Sequence, residues 1–376
     1  MSSVDVDMTD RDMVGRADEA DRAVERTPRE EWLIDSMRRQ ARGMEALVAA
    51  ARAGDCGLEG RLAWLAVGRQ ADRYLRNLEA RSRSRLAGQC APELRRHLDV
   101  LRGWGAEAER QLAAGDAGGV AEAERRVGLR VAVIGKGGAG KSMVSGTLAR
   151  VLARQGHRVL AADLDTNPGL AFSLGMAPDA GGLPLEAVEE HPGVAYGWRL
   201  RSGLSPAEAI ERHAVTAPDG VRFLPLGKID EPDKTAPKRT LAALLEILLG
   251  FGDPSWDVIG DLEAGPTTPF ERYHAFADRV LVVVGPAWRS AMTARRLLPL
   301  VADVPTLVVA NRFRDEPDHP GLAPCVRIPF DEEVADAERR GLAPIDCCPA
   351  SPAIAAVTRL ATLLTDSRHI SEEVKV

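Results

Sequence analysis

One segment, Leu129 to Ser142 (LRVAVIGKGGAGKS), limits the fold of this chain more than any other. Val131 to Ile134 is a short apolar, β-branched run of the kind that fills a buried parallel strand. The glycine-rich turn Gly135-Lys136-Gly137-Gly138-Ala139-Gly140 follows at once, and Lys141-Ser142 opens a helical pattern through Met143, Leu148, Val151 and Leu152. Strand, turn and helix in this order satisfy G-x-x-x-x-G-K-[ST] in its proper context. Glycines let the backbone curl so that successive N–H groups face phosphate oxygens, and the helix N-terminus adds a fixed partial positive charge. The backbone from Gly135 through Met143 is therefore expected to cradle nucleotide phosphates. Lys141 is expected to reach the β- and γ-phosphates, and the Ser142 hydroxyl to ligate Mg²⁺.

Lys136 narrows the class. GKGGAGKS resembles the signature of the deviant P-loop ATPases, which include the nitrogenase iron protein, partition and septum-positioning ATPases, and the nickel-insertion ATPases of carbon monoxide dehydrogenase maturation. The resemblance implies ATP and Mg²⁺ as ligands, ATP hydrolysis, and a homodimer formed on ATP binding in which the extra lysine reaches the other subunit's nucleotide. Position agrees with this. A lysine at the second place in the loop points away from its own phosphate nest, so a partner's phosphates are its natural target.

Phosphoryl cleavage also needs carboxylates, one to hold the Mg²⁺ shell and one to orient water. In an open parallel sheet they stand at the carboxyl ends of strands beside the phosphate loop. Two stretches qualify, Asp163-Leu164-Asp165-Thr166-Asn167-Pro168-Gly169-Leu170 and Asp257-Val258-Ile259-Gly260-Asp261-Leu262-Glu263-Ala264-Gly265. The first resembles the family's D-x-D-P-N-x-N-L switch, which implies that Asp165 positions water and contributes to the metal shell. It departs from the pattern at Thr166 and Gly169. The second is similar to the D-M-E-A-G of nickel-insertion ATPases and to the D-V-L-G-D of the iron protein. That likeness implies Asp261 at the Mg²⁺ shell, Gly265 as γ-phosphate sensor, and Asp257 as an alternative carboxylate. VVVGPAWRSAMTA, VVANR and IPFDEEVADAERRGLAP resemble later family segments, with Asn311 implied at adenine and Pro329 beside it. The likeness spans about residues 129–365.

Differences separate the relatives. The iron protein's cluster cysteine falls at Ala264, and no C-x-C follows Leu226-Gly227-Lys228, so neither an iron–sulfur cluster nor nickel handling is expected. Residues 353–365 contain only Arg359 as a basic residue, which predicts a core helix rather than a membrane-binding one. The five cysteines show no C-x-x-C, and the N-terminus is acidic where a signal peptide would be basic and then apolar; a cytoplasmic protein is expected. A net charge of −6 argues against nucleic acid and anionic membrane as partners.

With 376 residues, two domains are expected. Residues 1–26, with eight acids against four arginines, read as a disordered tail. Thr27-Pro28-Arg29-Glu30 is a helix start, and helices are predicted from there to Gly54, over about 58–86 and over about 92–112. They form a small all-α domain, 27–113, followed by a Gly/Ala-rich linker, 114–128, and a doubly wound, mostly parallel α/β ATPase domain, 129–376. Ten arginines on the second and third helices read as a solvated surface, with an acidic partner or nucleic acid as alternatives. Strands are predicted at 158–163, 221–225, 257–261, 279–284, 305–310 and 325–328. Capped helix starts are expected at Ser205 and Thr268. The function expected is a nucleotide-driven dimerisation switch that acts on an unidentified protein through the N-terminal helices. The alternatives are an ATP-dependent ligase or kinase-like enzyme on the same fold, and a partition-type DNA-positioning ATPase.

Overall fold

The computed structural model describes residues 27–82, 91–165, 169–177, 182–194, 197–226 and 236–366. The expected acidic tail, Thr166-Asn167-Pro168 of the first switch-like stretch and Gly227-Lys228 lie outside the described residues.

Four helices come first: α1 (Pro28–Ala53), α2 (Leu58–Ser82), α3 (Ala91–Ala113) and α4 (Ala117–Arg126). After them the chain alternates β1 (Arg130–Gly135), α5 (Lys141–Arg154), β2 (Arg158–Leu164) and α6 (Gly169–Leu174). A short antiparallel hairpin, β3 (Val188–Glu190) with β4 (Trp198–Leu200), precedes α7 (Pro206–His213), β5 (Val215–Thr216), β6 (Arg222–Pro225) and α8 (Ala236–Gly250). The remainder is β7 (Trp256–Leu262), α9 (Thr267–Phe270), β8 (Arg279–Val284), α10 (Trp288–Leu297), β9 (Thr306–Phe313), β10 (Pro324–Pro329), α11 (Glu332–Arg339), α12 (Pro344–Cys347) and α13 (Pro352–Thr365).

The main sheet runs β10-β9-β8-β1-β7-β2-β6-β5, parallel except for the edge strand β5. β1 is buried along its whole length between β7 and β8. Its side chains alternate between two cores, as the two-residue strand period requires. Val131 and Val133 pack with Met143, Leu148 and Leu152 of α5 and with Val357 and Leu360 of α13. Ala132 and Ile134 pack with Ile247 and Leu248 of α8 and with Leu297 of α10. Helices thus cover both faces, and α13 is a core helix.

The N-terminal helices share a third core built from Met37, Met44, Trp64, Val67, Leu78, Leu98 and Leu101. Thr27 caps α1 reciprocally with Glu30: the Thr27 backbone N–H donates to Glu30 Oε2 at 2.8 Å, and the Glu30 N–H donates to Thr27 Oγ1 at 3.3 Å. Ser205 and Glu208 repeat this at α7. The same start expected at Thr268 is not used, since α9 is a single turn entered from Pro266 without a side-chain cap.

The stretch 114–128, read as a linker, is mostly helix. Asp116 accepts from the Gly119 N–H at 2.6 Å, Arg61 of α2 pairs with its other oxygen at 2.6 Å, and Ala123 is fully buried. A cap and one small apolar contact outweigh the low helix propensity of the glycines.

Several arginines expected to face solvent instead dock these helices on the rear edge of the sheet, where the parallel strands begin. Arg73 Nη1 donates to Asp278 at 2.7 Å, Arg76 Nη2 to the Ala277 carbonyl at 3.3 Å, and Gln70 Nε2 to the Leu249 carbonyl at 2.7 Å. Farther along, Arg39 meets Glu246 of α8 at 3.3 Å and Arg199 of the hairpin meets Asp35. Burial works against the charge on Asp278, but Arg73, Arg69 and Arg130 hold its carboxyl below the ordinary value.

Candidate nucleotide-binding site

The loop between β1 and α5 has the backbone its glycines predict. Gly135, Gly138 and Gly140 have φ of 155°, 80° and 90°, the last two in the left-handed region that favours glycine. A Cβ on Gly140 would stand 2.2 Å from Asn311 Nδ2, and one on Gly135 would stand 2.5 Å from the Val283 carbonyl oxygen. A Cβ on Gly138 would meet nothing within 4 Å, so the loop opens outward at that point. The Val144 N–H donates to the Gly140 carbonyl, so the N–H groups of Lys141, Ser142 and Met143 stand in the first turn of α5 with no carbonyl of their own helix before them. The Met143 side chain faces the core, leaving only its backbone for a ligand.

Lys141 is buried, only 6 % exposed, and its charge acts on Asp261 at the end of β7 and on Glu263 just beyond it. Asp163 and Asp261 are register partners on β2 and β7, both buried, and Asp165 and Glu263 follow two residues beyond each. Ser145, one turn after Lys141, donates to Asp261 Oδ1 at 3.3 Å, and the Asp165 N–H donates to Asp163 Oδ1 at 3.0 Å. No hydrogen bond of good geometry reaches the buried Asp261 Oδ2 among the described residues. Burial raises Asp261 to about 6, with the charge of Asp165 adding to the shift and Lys141, Ser142 and Ser145 opposing it. Burial and the neighbouring Asp261 push Asp163 well above the ordinary carboxylate range. Crowded carboxylates around one buried lysine are costly without a further cation, and an orphaned oxygen gives that cation a ligand. Among the described residues no three His, Cys, Asp or Glu side chains form a ready-made metal cage. That fits an ion such as Mg²⁺, which takes one or two carboxylates and completes its shell with water and phosphate.

The two candidate carboxylates of β7 part company. Asp257 begins the strand at the rear edge, where it accepts from the Leu129 N–H at 2.7 Å and faces His157 Nδ1 at 2.8 Å. Only Asp261 stands at the loop. Asn311, expected at adenine, is wholly buried; its Nδ2 donates to the Ala139 carbonyl at 2.8 Å, bracing the loop from behind, while its Oδ1 has no hydrogen-bond partner among the described residues. Gly265 has φ 105°, and its N–H points, at a long 3.4 Å, to the Gly135 carbonyl. Pro329 ends β10 opposite Phe313 and is half-buried. Lys136 is half-buried, and its Nζ donates to the adjacent Gly137 carbonyl at 3.2 Å.

Sequence reasoning missed Arg312. Its Nη1 donates to the Gly138 carbonyl at 3.1 Å while Nη2 holds both oxygens of Glu338. The adjacent Asn311 was the only pointer to it. Ser145 was legible in principle, being one helical turn from Lys141.

Comparison with known proteins agrees with this geometry. The family model described as the CobQ/CobB/MinD/ParA nucleotide binding domain matches residues 131–345. The chain belongs to this family. Within the CobQ/CobB/MinD/ParA family it is similar to an uncharacterized ATP-binding protein of Methanocaldococcus jannaschii, 28% identical over 57% of this chain and 90% of that one. It is also similar to the carbon monoxide dehydrogenase accessory protein CooC of Rhodospirillum rubrum, 29% identical over 59% and 91%. Among solved structures, the septum site-determining protein MinD of Pyrococcus horikoshii, complexed with Mg-ADP, superimposes with a TM-score of 0.50 at 18% identity. That superposition covers 66% of this chain and 99% of that one, and it shows a shared fold. The N-terminal helices lie outside the matched domain.

Proposed function

We propose that the chain is a Mg²⁺-dependent ATPase that pairs with a second copy when ATP binds and passes that state to a protein partner through α1–α4. Membership of a nucleotide-binding family, the outward-opening glycine loop and the crowded carboxylates support the nucleotide and the ion. ATP hydrolysis supplies the free-energy change that makes the cycle directional. The N–H groups of the loop and of the first turn of α5 hold phosphate oxygens, and Lys141 adds a charge-assisted contact. The Ser142 hydroxyl and Asp261 hold the metal and its water. Asp165 aims a water toward the phosphate; Arg312 and Asn311 keep the loop in shape.

Lys136 carries the reading of a switch. Its ammonium spends its hydrogen bond on a neighbouring carbonyl of its own loop, while Lys141 and the amides already serve the phosphates on that side. A second subunit's nucleotide would use that charge more fully. Among the described residues no helix is long and apolar enough to cross a membrane, and with the acidic net charge this favours a cytoplasmic protein that binds neither membrane nor nucleic acid.

Light scattering with and without Mg-ATP tests the proposal. Asp165→Ala should accumulate as an ATP-bound dimer, and Lys136→Ala should bind one nucleotide per chain yet stay monomeric. A mass unchanged by nucleotide in wild type and Asp165→Ala would reject the switch and leave a small-molecule ligase as the better account.

A further inference from the structure

A cavity of about 300 Å³ lies at the rear edge of the sheet, between α2, α4 and the starts of β1, β7 and β8. It is separated from the phosphate loop by the length of the strands, roughly 20 Å at ~3.3 Å per residue. Four arginines line it: Arg69, Arg76, Arg125 and Arg279. Four carboxylates share its wall: Glu124 attracts Arg69, and Asp278 Oδ2 has no hydrogen-bond partner among the described residues. Asp72 holds Arg76 Nε at 2.8 Å, Asp257 is engaged by His157 and the Leu129 N–H, and Asp278 is held by Arg73 at 2.7 Å.

The guanidinium donors are not all used either. Arg69 comes no nearer than 4.0 Å to Asp278 and otherwise makes one long bond of 3.5 Å to the Gly128 carbonyl. Arg76 Nη1 and Arg279 Nε are buried without a hydrogen-bond partner among the described residues. Burial, together with the charges of Arg69 and Arg76, lowers the pKa of Arg279, while Asp278 opposes the shift. Buried donors without acceptors and like charges facing across a cavity are both relieved by one small anion with several acceptor oxygens.

We infer that this rear cavity binds a phosphate-bearing small anion through Arg69, Arg76 and Arg279, independently of the nucleotide at the loop. The three guanidinium planes offer forked donors suited to tetrahedral oxyanions. Because α2 and α4 supply one wall and the strand starts the other, the anion would tie the N-terminal helices to the ATPase core.

Inorganic phosphate is the probe. The full chain, held with one equivalent of a non-hydrolysable ATP analogue and Mg²⁺, is dialysed against radiolabelled phosphate at low ionic strength. One phosphate per chain is expected, retained in Lys141→Ala and weakened at least tenfold in Arg279→Gln. Arg69→Gln is the second variant should Arg279→Gln fail to fold. Arg95→Gln, on the exposed face of α3, controls for net charge and should bind as wild type does. Absence of bound phosphate, its loss in Lys141→Ala, or equal weakening in Arg95→Gln would overturn the inference.

Discussion

Arg312 Nη2 lies 2.9 and 2.8 Å from the two carboxylate oxygens of Glu338, and the same guanidinium reaches the Gly138 carbonyl at 3.1 Å. A carboxylate on α11 therefore holds an arginine of β9 against the phosphate loop. The backbone of Arg312 is left-handed, with φ 63°, a cost for a residue other than glycine that persists only where the surroundings fix it.

Arg312→Gly separates strain from bracing. The backbone would be at ease, so thermal stability should change little, while the loop loses its brace. Nucleotide affinity, measured by calorimetry, should fall by about tenfold, since a charge-assisted bond is worth on the order of 1.5 kcal/mol. Glu338→Gln should show a smaller loss in the same assay.

Lys141→Ala should weaken Mg-ATP binding by about ten- to a hundredfold, from loss of charge-assisted contacts of roughly 1.5–3 kcal/mol, and should abolish turnover. Titration calorimetry and a phosphate-release assay check the two effects. Unchanged values would remove Lys141 from the phosphate site.

Gly140→Ala combines a left-handed φ with a Cβ 2.2 Å from Asn311 Nδ2. The loop must shift or the Asn311–Ala139 bond must break. The expected cost is on the order of 2 kcal/mol of stability, read from urea melts, together with lost nucleotide binding. Gly156→Ala, also at positive φ but with open space around its Cβ, should cost less.

Asp278→Asn leaves Arg73 and Arg130 buried beside a neutral amide and should cost about 3–5 kcal/mol. The pH dependence follows from the lowered pKa. The carboxylate's contribution is complete above its unfolded value near 3.8 and is lost as pH falls through the lower folded value. The gap between wild type and variant in urea midpoint should therefore be wide at pH 7 and narrower at pH 3. A gap that widens on acidification would contradict the assigned ion pairs.

The strand–loop–helix unit, the alternation of strands and helices after it, and the caps at Thr27 and Ser205 were legible because each rests on local chemistry. Asp116 could have been read as a cap too, but the glycines after it masked a helix that Arg61 and a buried Ala123 stabilise from outside. The choice between Asp257 and Asp261 is one of position. Four residues along an extended strand carry a side chain from the rear edge to the loop, and sequence does not say which end faces the ligand. Asn311 and Arg312 show a further limit. Their segment resembled a base-contacting one, but the bonds by which Asn311 and the neighbouring arginine brace the phosphate loop depend on partners some 170 residues away. Arg69, Arg73 and Arg76 looked like any solvated helix face because their partners Ala277 and Asp278 are some two hundred residues away.

The N-terminal helices dock at the rear edge and leave the loop edge of the sheet uncovered by them. Should two chains meet loop to loop, their helical layers would project from opposite ends of the assembly. The pair would then be a two-headed connector. A target displaying one docking patch would gain little from pairing, whereas a target with repeated patches at the right spacing would be held by both heads at once and released when the pair parts.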